Sequence, residues 1–127
     1  MYSKILSFIF VSLIILCSPC AAAFDNFEFV DANGKTGYYV DSKSAYFGPE
    51  NQVEAIIAVK KAGQNRMFIY RMKFDRAQRT YQILSSQVIK YDTKEILEQQ
   101  NKVEPPQTYR LQSPMNEIVD YLFAQKR

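Results

Sequence analysis

Apolar and polar residues alternate most regularly in the stretch from Arg66 to Asp92. One side of this alternation carries Phe68, Tyr70, Met72 and Phe74, and the other side carries Met67, Ile69, Arg71 and Lys73. A period of two sends successive side chains to opposite faces of a β-strand. The mostly polar residues 75–78 interrupt the pattern, and residues 80–91 resume it with a second interruption at Ser85-Ser86-Gln87. The stretch therefore predicts a long β-hairpin with a bulge or bend in its second strand.

The rest of the chain contains shorter extended patterns. The predicted strands are residues 27–30, 36–40, 45–47, 53–60 and 107–111. The segment from Asp31 to Lys35 predicts a tight turn after the first of these strands, because Asn33-Gly34 supplies the positive φ that such a turn needs. The polar residues 41–44 predict a break between the second strand and the third. Residues 93–102 fit either one helical turn or an exposed, loose edge strand.

The C-terminal end of the chain has the pattern of an amphipathic helix. Ser113 can cap a free backbone N–H, and Pro114 suits the first helical position. The apolar residues follow helical spacing at Met115, Ile118, Val119, Leu122 and Phe123. We therefore expect an α+β fold, in which an antiparallel sheet of about five or six strands is covered by one C-terminal helix.

The first 23 residues have the layout of a secretory signal peptide. Lys4 is followed by an apolar run over residues 5–16 and by a small-residue cleavage site at Ala21-Ala22-Ala23. We therefore predict an exported single domain over residues 24–127, located in the periplasm or at the cell surface. Cys17 and Cys20 allow a lipoprotein interpretation, although neither lies in a good lipobox. After signal cleavage we predict no membrane span.

Basic residues are concentrated in the predicted hairpin and the segment before it. The candidate binding residues are Lys60, Lys61, Arg66, Arg71, Lys73, Arg76 and Arg79. The stretch from Lys60 to Arg79 contains one acidic residue, Asp75. A cationic surface of this kind can bind an anionic polymer, a lipid head group or an acidic protein. The alternative is a solvated sheet edge, on which Lys and Arg discourage aggregation. Nucleic acid is not expected, because the chain contains no motif that reads it.

The composition argues against an enzyme. The chain has no histidine, and its two cysteines lie in the predicted signal peptide, so the usual general base and the usual zinc ligands are missing from the predicted domain. Four carboxylates could serve in acid–base catalysis but sit where turn chemistry is expected, namely Asp31, Asp41, Asp92 and Glu95. We therefore expect no catalytic site, no metal and no cofactor. The many tyrosines can form a recognition surface, although strand tyrosines are more often edges of a core.

Several short motifs together carry a resemblance to a known family. They are the segment Tyr39 to Ser44, the strand at residues 53–59, Arg79-Thr80-Tyr81-Gln82-Ile83, Tyr91-Asp92 and the Ser-Pro start of the last helix. In this order they resemble the surface-adhesin protein E-like domain of Gram-negative bacteria. The resemblance implies an antiparallel sheet with a packed C-terminal helix, exposure in the cell envelope and adhesion to host matrix and serum proteins. The chain lacks the good lipobox and the cysteine pair of the best-known member.

These observations together predict a cell-envelope or secreted binding module. Its partner would be a protein or an anionic polymer, contacted through the basic hairpin in the manner of an adhesin. Two alternatives remain open on the sequence. One is a periplasmic structural or assembly protein that acts as a homodimer, and the other is a small periplasmic enzyme inhibitor.

Overall fold

A computed structural model describes residues 26–125 of the chain. The predicted signal peptide and its cleavage site lie outside the described residues. Between these limits the chain forms seven strands and one α-helix, and a short 3₁₀ helix covers Ala62–Gln64. The strands are β1 (Phe27–Asn33), β2 (Thr36–Phe47), β3 (Gln52–Lys61), β4 (Arg66–Asp75), β5 (Thr80–Lys90), β6 (Ile96–Gln100) and β7 (Gln107–Thr108), and the helix is α1 (Pro114–Gln125).

All of the described strands belong to one antiparallel sheet. Strands β1 to β6 lie side by side in chain order, and β7 pairs with the start of β5 through Thr80 and Thr108. Strand β6 pairs with the other end of β5, between Ser86 and Ile89. The α+β class and the sheet with a C-terminal helix are thus confirmed, and the short β7 brings the strand number to seven.

The central hairpin is present as predicted. Strands β4 and β5 pair from Arg66 with Lys90 to Asp75 with Thr80. The alternation places Met72 and Phe74 in the core on one face of the sheet. The pairing shifts by one residue at Leu84, which has no counterpart on β4. The bulge therefore lies just before the Ser85–Gln87 segment in which the sequence predicted it.

Strand β2 differs from its prediction. The expected break at residues 41–44 is wrong, because β2 continues to Phe47 with a shift in register between Asp41 and Tyr46. Ser44 makes this bulge possible: its Oγ accepts a hydrogen bond from the Ile56 backbone N–H at 2.9 Å and donates one to the Asp41 carbonyl oxygen at 2.6 Å. The hydroxyl thus substitutes for a backbone partner where the strand bends away.

The predicted turn between β1 and β2 is confirmed with a small change of position. The two residues outside the strands are Gly34 and Lys35, and Gly34 has a φ of 64°. A residue with a side chain rarely adopts this backbone conformation, which accounts for the glycine. Strand β1 extends to Asn33, three residues further than the pattern predicted.

The segment between β5 and the helix is the most exposed part of the sheet. Of the two predictions for residues 93–102, the edge strand is confirmed, because β6 runs over Ile96–Gln100 and every residue of it is exposed. The predicted last strand over residues 107–111 is shorter, since only Gln107 and Thr108 pair with β5. The next residue, Tyr109, is buried against the core.

Helix α1 begins as predicted and buries the predicted stripe. The Asn116 N–H donates to Ser113 Oγ at 3.3 Å, so Ser113 caps the helix. Ile118, Val119 and Leu122 are fully buried against the sheet. The helix lies closest to β1 and β2, at one side of the sheet, and therefore covers only part of the face on which it packs.

The two faces of the sheet are unequal. We call the face under α1 the helix face, and it carries the main core of Val53, Ala55, Ile57, Met72 and Phe74. We call the opposite face the far face. It carries a smaller cluster, in which Ala58, Met67 and Ile89 are buried with help from Phe27, Tyr39 and Ile69. Burial of Ala58 shows that β3 is covered partly on both sides.

Candidate functional site

The structure distributes the seven predicted binding residues over both faces and a turn. Paired residues of neighbouring strands point to the same face, and alternate residues point to opposite faces. Lys61 and Arg66 pair with each other and lie on the helix face. Lys60, Arg71 and Lys73 lie on the far face, and Arg76 and Arg79 bound the turn after β4. The hairpin therefore does not bring all seven together on a single basic surface.

Several of these cations already have partners within the molecule. Arg71 Nη1 lies 3.0 Å from Glu54 Oε2, and Lys60 Nζ lies 3.8 Å from the centre of the Tyr91 ring. Arg76 reaches the helix, with Nη2 at 3.3 Å from Asp120 Oδ1 and its guanidinium over the Phe123 ring. These exposed contacts contribute little to stability individually, but they hold the charges in separate places.

The helix face retains an open groove beside α1. We call it the tyrosine groove, and its principal lining residues are Tyr38, Lys61, Phe68, Tyr70, Tyr81 and Met115. Its volume is about 260 Å³. Met115 belongs to the first turn of α1, so the helix forms one end of the groove. No other described element covers this half of the face, which leaves Phe68 and Tyr70 only partly buried.

The tyrosines give the groove both apolar walls and polar groups. Burial raises the pKa of Tyr70, and the neighbouring phenols of Tyr81 and Tyr38 raise it further. The Tyr81 hydroxyl donates to Gln107 Oε1 at 3.0 Å. At neutral pH Tyr70 therefore stays protonated and can donate or accept a hydrogen bond. An aromatic wall with a polar tip is typical of recognition surfaces.

The end of the groove away from the helix is cationic. Lys61 lines the groove, and its Nζ lies 5.4 Å from the centre of the Phe68 ring. Arg66 pairs with Lys61 on the neighbouring strand, and Lys90 pairs with Arg66, so all three lie side by side on the helix face. The Arg66 guanidinium donates to the carbonyl oxygens of Gln64 and Asn65, which fixes its position. Two of the predicted basic residues thus lie next to an apolar surface.

The groove itself is absent from the sequence prediction, although a signal for it exists. A helix of 12 residues is about 18 Å long, whereas a strand of ten residues is about 33 Å long. One such helix cannot cover the whole apolar face of β4. Phe68 and Tyr70, at the β4 end beyond the helix, therefore remain available to a partner.

The carboxylates that the sequence raised as catalytic candidates make local contacts. Asp31 accepts from the Ala32 N–H at 2.8 Å, Asp41 from the Lys43 N–H at 3.1 Å, and Asp92 from the Thr93 N–H at 2.7 Å. Asp31 and Asp41 do so from within strands instead of turns. Residues 26–125 contain no group of three or more His, Cys, Asp or Glu residues that could hold a metal ion.

Taken together, the groove offers binding chemistry: apolar walls, phenol groups and a cationic end. None of the helices in residues 26–125 has the length and hydropathy needed to cross a membrane. Comparison of the chain with models of protein families, with curated proteins and with solved structures gave no match. The resemblance to the surface-adhesin protein E-like family therefore stays a prediction.

Proposed function

We propose that the protein is an exported binding module, in the cell envelope or secreted, that holds a partner protein in the tyrosine groove. The observation that supports this function is the open half of the helix face, where apolar and aromatic side chains lie beside Lys61 and Arg66. An exposed apolar surface next to fixed charges is typical of protein interaction sites. Export and envelope location are part of the proposal and rest on the pattern of residues 1–23.

The chemistry of the groove defines the partner. An apolar or aromatic side chain would fill the space between Phe68, Tyr70 and Met115, and an acidic residue next to it would face Lys61. Burial of one such side chain contributes about 1.5–3 kcal/mol, whereas an exposed ion pair contributes about 0–1 kcal/mol. The groove would therefore supply most of the affinity, and the cations would supply selectivity for an acidic partner.

Selection of peptides from a random displayed library tests the proposal, because it does not require the partner to be identified first. We expect the enriched peptides to combine an aromatic or large aliphatic residue with a neighbouring Asp or Glu. Phe68→Ala should weaken their binding by about tenfold or more, because it removes a wall of the groove. Phe29→Ala is the matched control, since Phe29 is 58% exposed on the far face.

A second pair of variants tests how much charge contributes to peptide binding. Lys61→Gln should weaken binding a few-fold and reduce its dependence on salt, because Lys61 lines the groove. Lys60→Gln removes the same charge one residue away on the far face and should leave binding unchanged. Enriched peptides without an acidic residue, or equal losses in the two variants, would show that the groove does not select an acidic partner.

A homodimer is the second candidate, and the exposed strand β6 favours it. Its outer edge has no partner strand among residues 26–125, and Ile96 and Leu97 are exposed. Unpaired edges can pair with a second copy of the chain, although nearby charges such as Glu98 oppose this. Size-exclusion chromatography with light scattering at several concentrations distinguishes a dimer from a monomer.

A further inference from the structure

The far face of the sheet carries a second, smaller cavity between β3, β4, β5 and β6. Ile56 and Ile69 supply its apolar lining, and Arg71, Ser85, Gln87 and Gln99 supply polar groups. Its volume is about 110 Å³. Sites that enclose a drug-sized ligand measure about 300–1,000 Å³, so this cavity suits a single functional group of a larger molecule.

Gln87 is the unusual residue of this cavity. The residue is 7% exposed, and its buried Nε2 has no hydrogen-bond acceptor among residues 26–125. Register places Gln87 on the far face between Ile69 and Gln99, both of which line the cavity. Buried amide groups in native proteins almost always have a hydrogen-bond partner. An acceptor brought by a ligand would satisfy this nitrogen.

Arg71 lies on the far face next to Gln87 and supplies a positive charge. It pairs in register with Ser85 and with Ile56, and all three line the cavity. One guanidinium nitrogen already holds the Glu54 carboxylate at 3.0 Å. A guanidinium has five N–H donors in a planar fork, so further donors remain for a second planar anion. Arg71 and Gln87 therefore line the same small space.

We propose that this cavity binds a carboxylate group, held by the Arg71 guanidinium and the Gln87 amide above the apolar lining of Ile56 and Ile69. A carboxylate is planar and accepts hydrogen bonds only, which suits the guanidinium of Arg71 and the amide nitrogen of Gln87, both of which are donors. It can come from an acidic side chain or from the C-terminus of a peptide. The cavity lies on the face opposite the tyrosine groove, so the proposal does not depend on the groove's function.

Titration with propionate, followed by NMR of the backbone and side-chain amides, tests the cavity directly. We expect saturable shifts of the Gln87 side-chain NH₂ signals at millimolar concentration, and none with the isosteric neutral probe propionamide. Two peptides distinguish the sources of the carboxylate. A tripeptide with a central Glu and both ends capped tests an acidic side chain, and a trialanine with a capped N-terminus and a free C-terminus tests a C-terminal carboxylate. Equal shifts with propionamide, or no saturation up to about 100 mM propionate, would overturn the proposal.

Variants separate recognition by the cavity from general attraction of anions. Arg71→Gln should weaken propionate binding by about tenfold or more, whereas Lys73→Gln, with the same charge loss on the same face, should change it less than about twofold. Gln87→Met keeps the shape of the side chain but removes the amide. It should weaken propionate binding at least about threefold, while the native dispersion of the amide signals shows that the variant is folded. Phe68→Ala should leave propionate binding intact. Equal losses for Arg71→Gln and Lys73→Gln would refute a specific site.

Discussion

At the scale of single residues, Glu28 connects the first strand to the last helix. Its Oε2 accepts a hydrogen bond from the Tyr121 hydroxyl at 2.9 Å, and its Oε1 accepts one from Ser42 Oγ. The Ser42 contact is the largest cause of a lowered pKa of Glu28, followed by the Tyr121 contact. Both hydroxyls donate to the carboxylate, so ionised Glu28 is favoured in the folded state.

This contact predicts a dependence of stability on pH. Because the folded pKa of Glu28 lies below its unfolded value, the ionised carboxylate stabilises the fold above the unfolded pKa, and this stability is lost as the pH falls through the folded pKa. Glu28→Gln, which cannot ionise, should lower the urea midpoint at neutral pH and have a smaller effect at about pH 3. Glu98→Gln, on the exposed strand β6, is the control. An effect of Glu28→Gln that is the same at both pH values would contradict the contact.

The sequence could not predict contacts of this kind. Glu28 and Tyr121 are separated by 93 positions, and no local pattern relates them. Their proximity depends on the path of α1 over β1 and β2, which only the assembled fold determines. The same is true of Gln87, which resembles an ordinary polar strand residue until its burial is known.

At the scale of elements, the helix is held to the sheet by its apolar stripe. Leu122 is fully buried in the main core, so Leu122→Ala should lower the free energy of unfolding by about 2–5 kcal/mol through the cavity that it leaves. Chemical denaturation measures this change. Glu117→Gln, on the exposed side of the first turn, should stay within about 0.5 kcal/mol of the native protein. A loss of similar small size for Leu122→Ala would mean that the helix does not seal the core.

The bulge of β2 gives a second element-scale prediction. Ser44→Ala removes the oxygen that accepts from the Ile56 N–H and leaves this partly buried donor without its partner. We expect the free energy of unfolding to fall by about 1–3 kcal/mol. Lys43→Ala, in the same bulge but with an exposed side chain, should have little effect. If Ser44→Thr, which keeps the hydroxyl, destabilises as much as Ser44→Ala, the hydrogen bond is not the cause.

These elements show what a pattern can and cannot reveal. The β4–β5 hairpin was predictable, because each of its strands alternates cleanly and one face becomes core. The helix was predictable from its cap and its stripe. Strand β2 was misjudged at residues 41–44, because polar residues usually end a strand, whereas here the Ser44 hydroxyl continues the hydrogen bonding. A side chain that replaces a backbone partner leaves no periodic signal.

At the scale of the whole molecule, the unequal coverage of the sheet determines which surfaces remain for binding. The helix and the main core occupy one part of the helix face, and the tyrosine groove occupies the rest. The far face carries the smaller apolar cluster and the cavity at Gln87. The number of basic residues near the hairpin was predictable from the sequence. Their division between the two faces follows from alternation along β3 and β4, so the prediction of one basic surface conflicts with the period-two pattern itself.

This division of charge predicts how the protein binds a sulfated polymer such as heparin. The polymer has no apolar group to fill the tyrosine groove, so its attraction depends on charge alone. The net charge of the chain is only +3, and the cations lie on opposite faces. The double variants Lys61→Gln with Arg66→Gln and Arg71→Gln with Lys73→Gln should therefore elute from immobilised heparin at similarly reduced salt concentrations. If one pair abolished retention and the other left it unchanged, the polymer would bind a single face, and that face would be the basic surface predicted from the sequence.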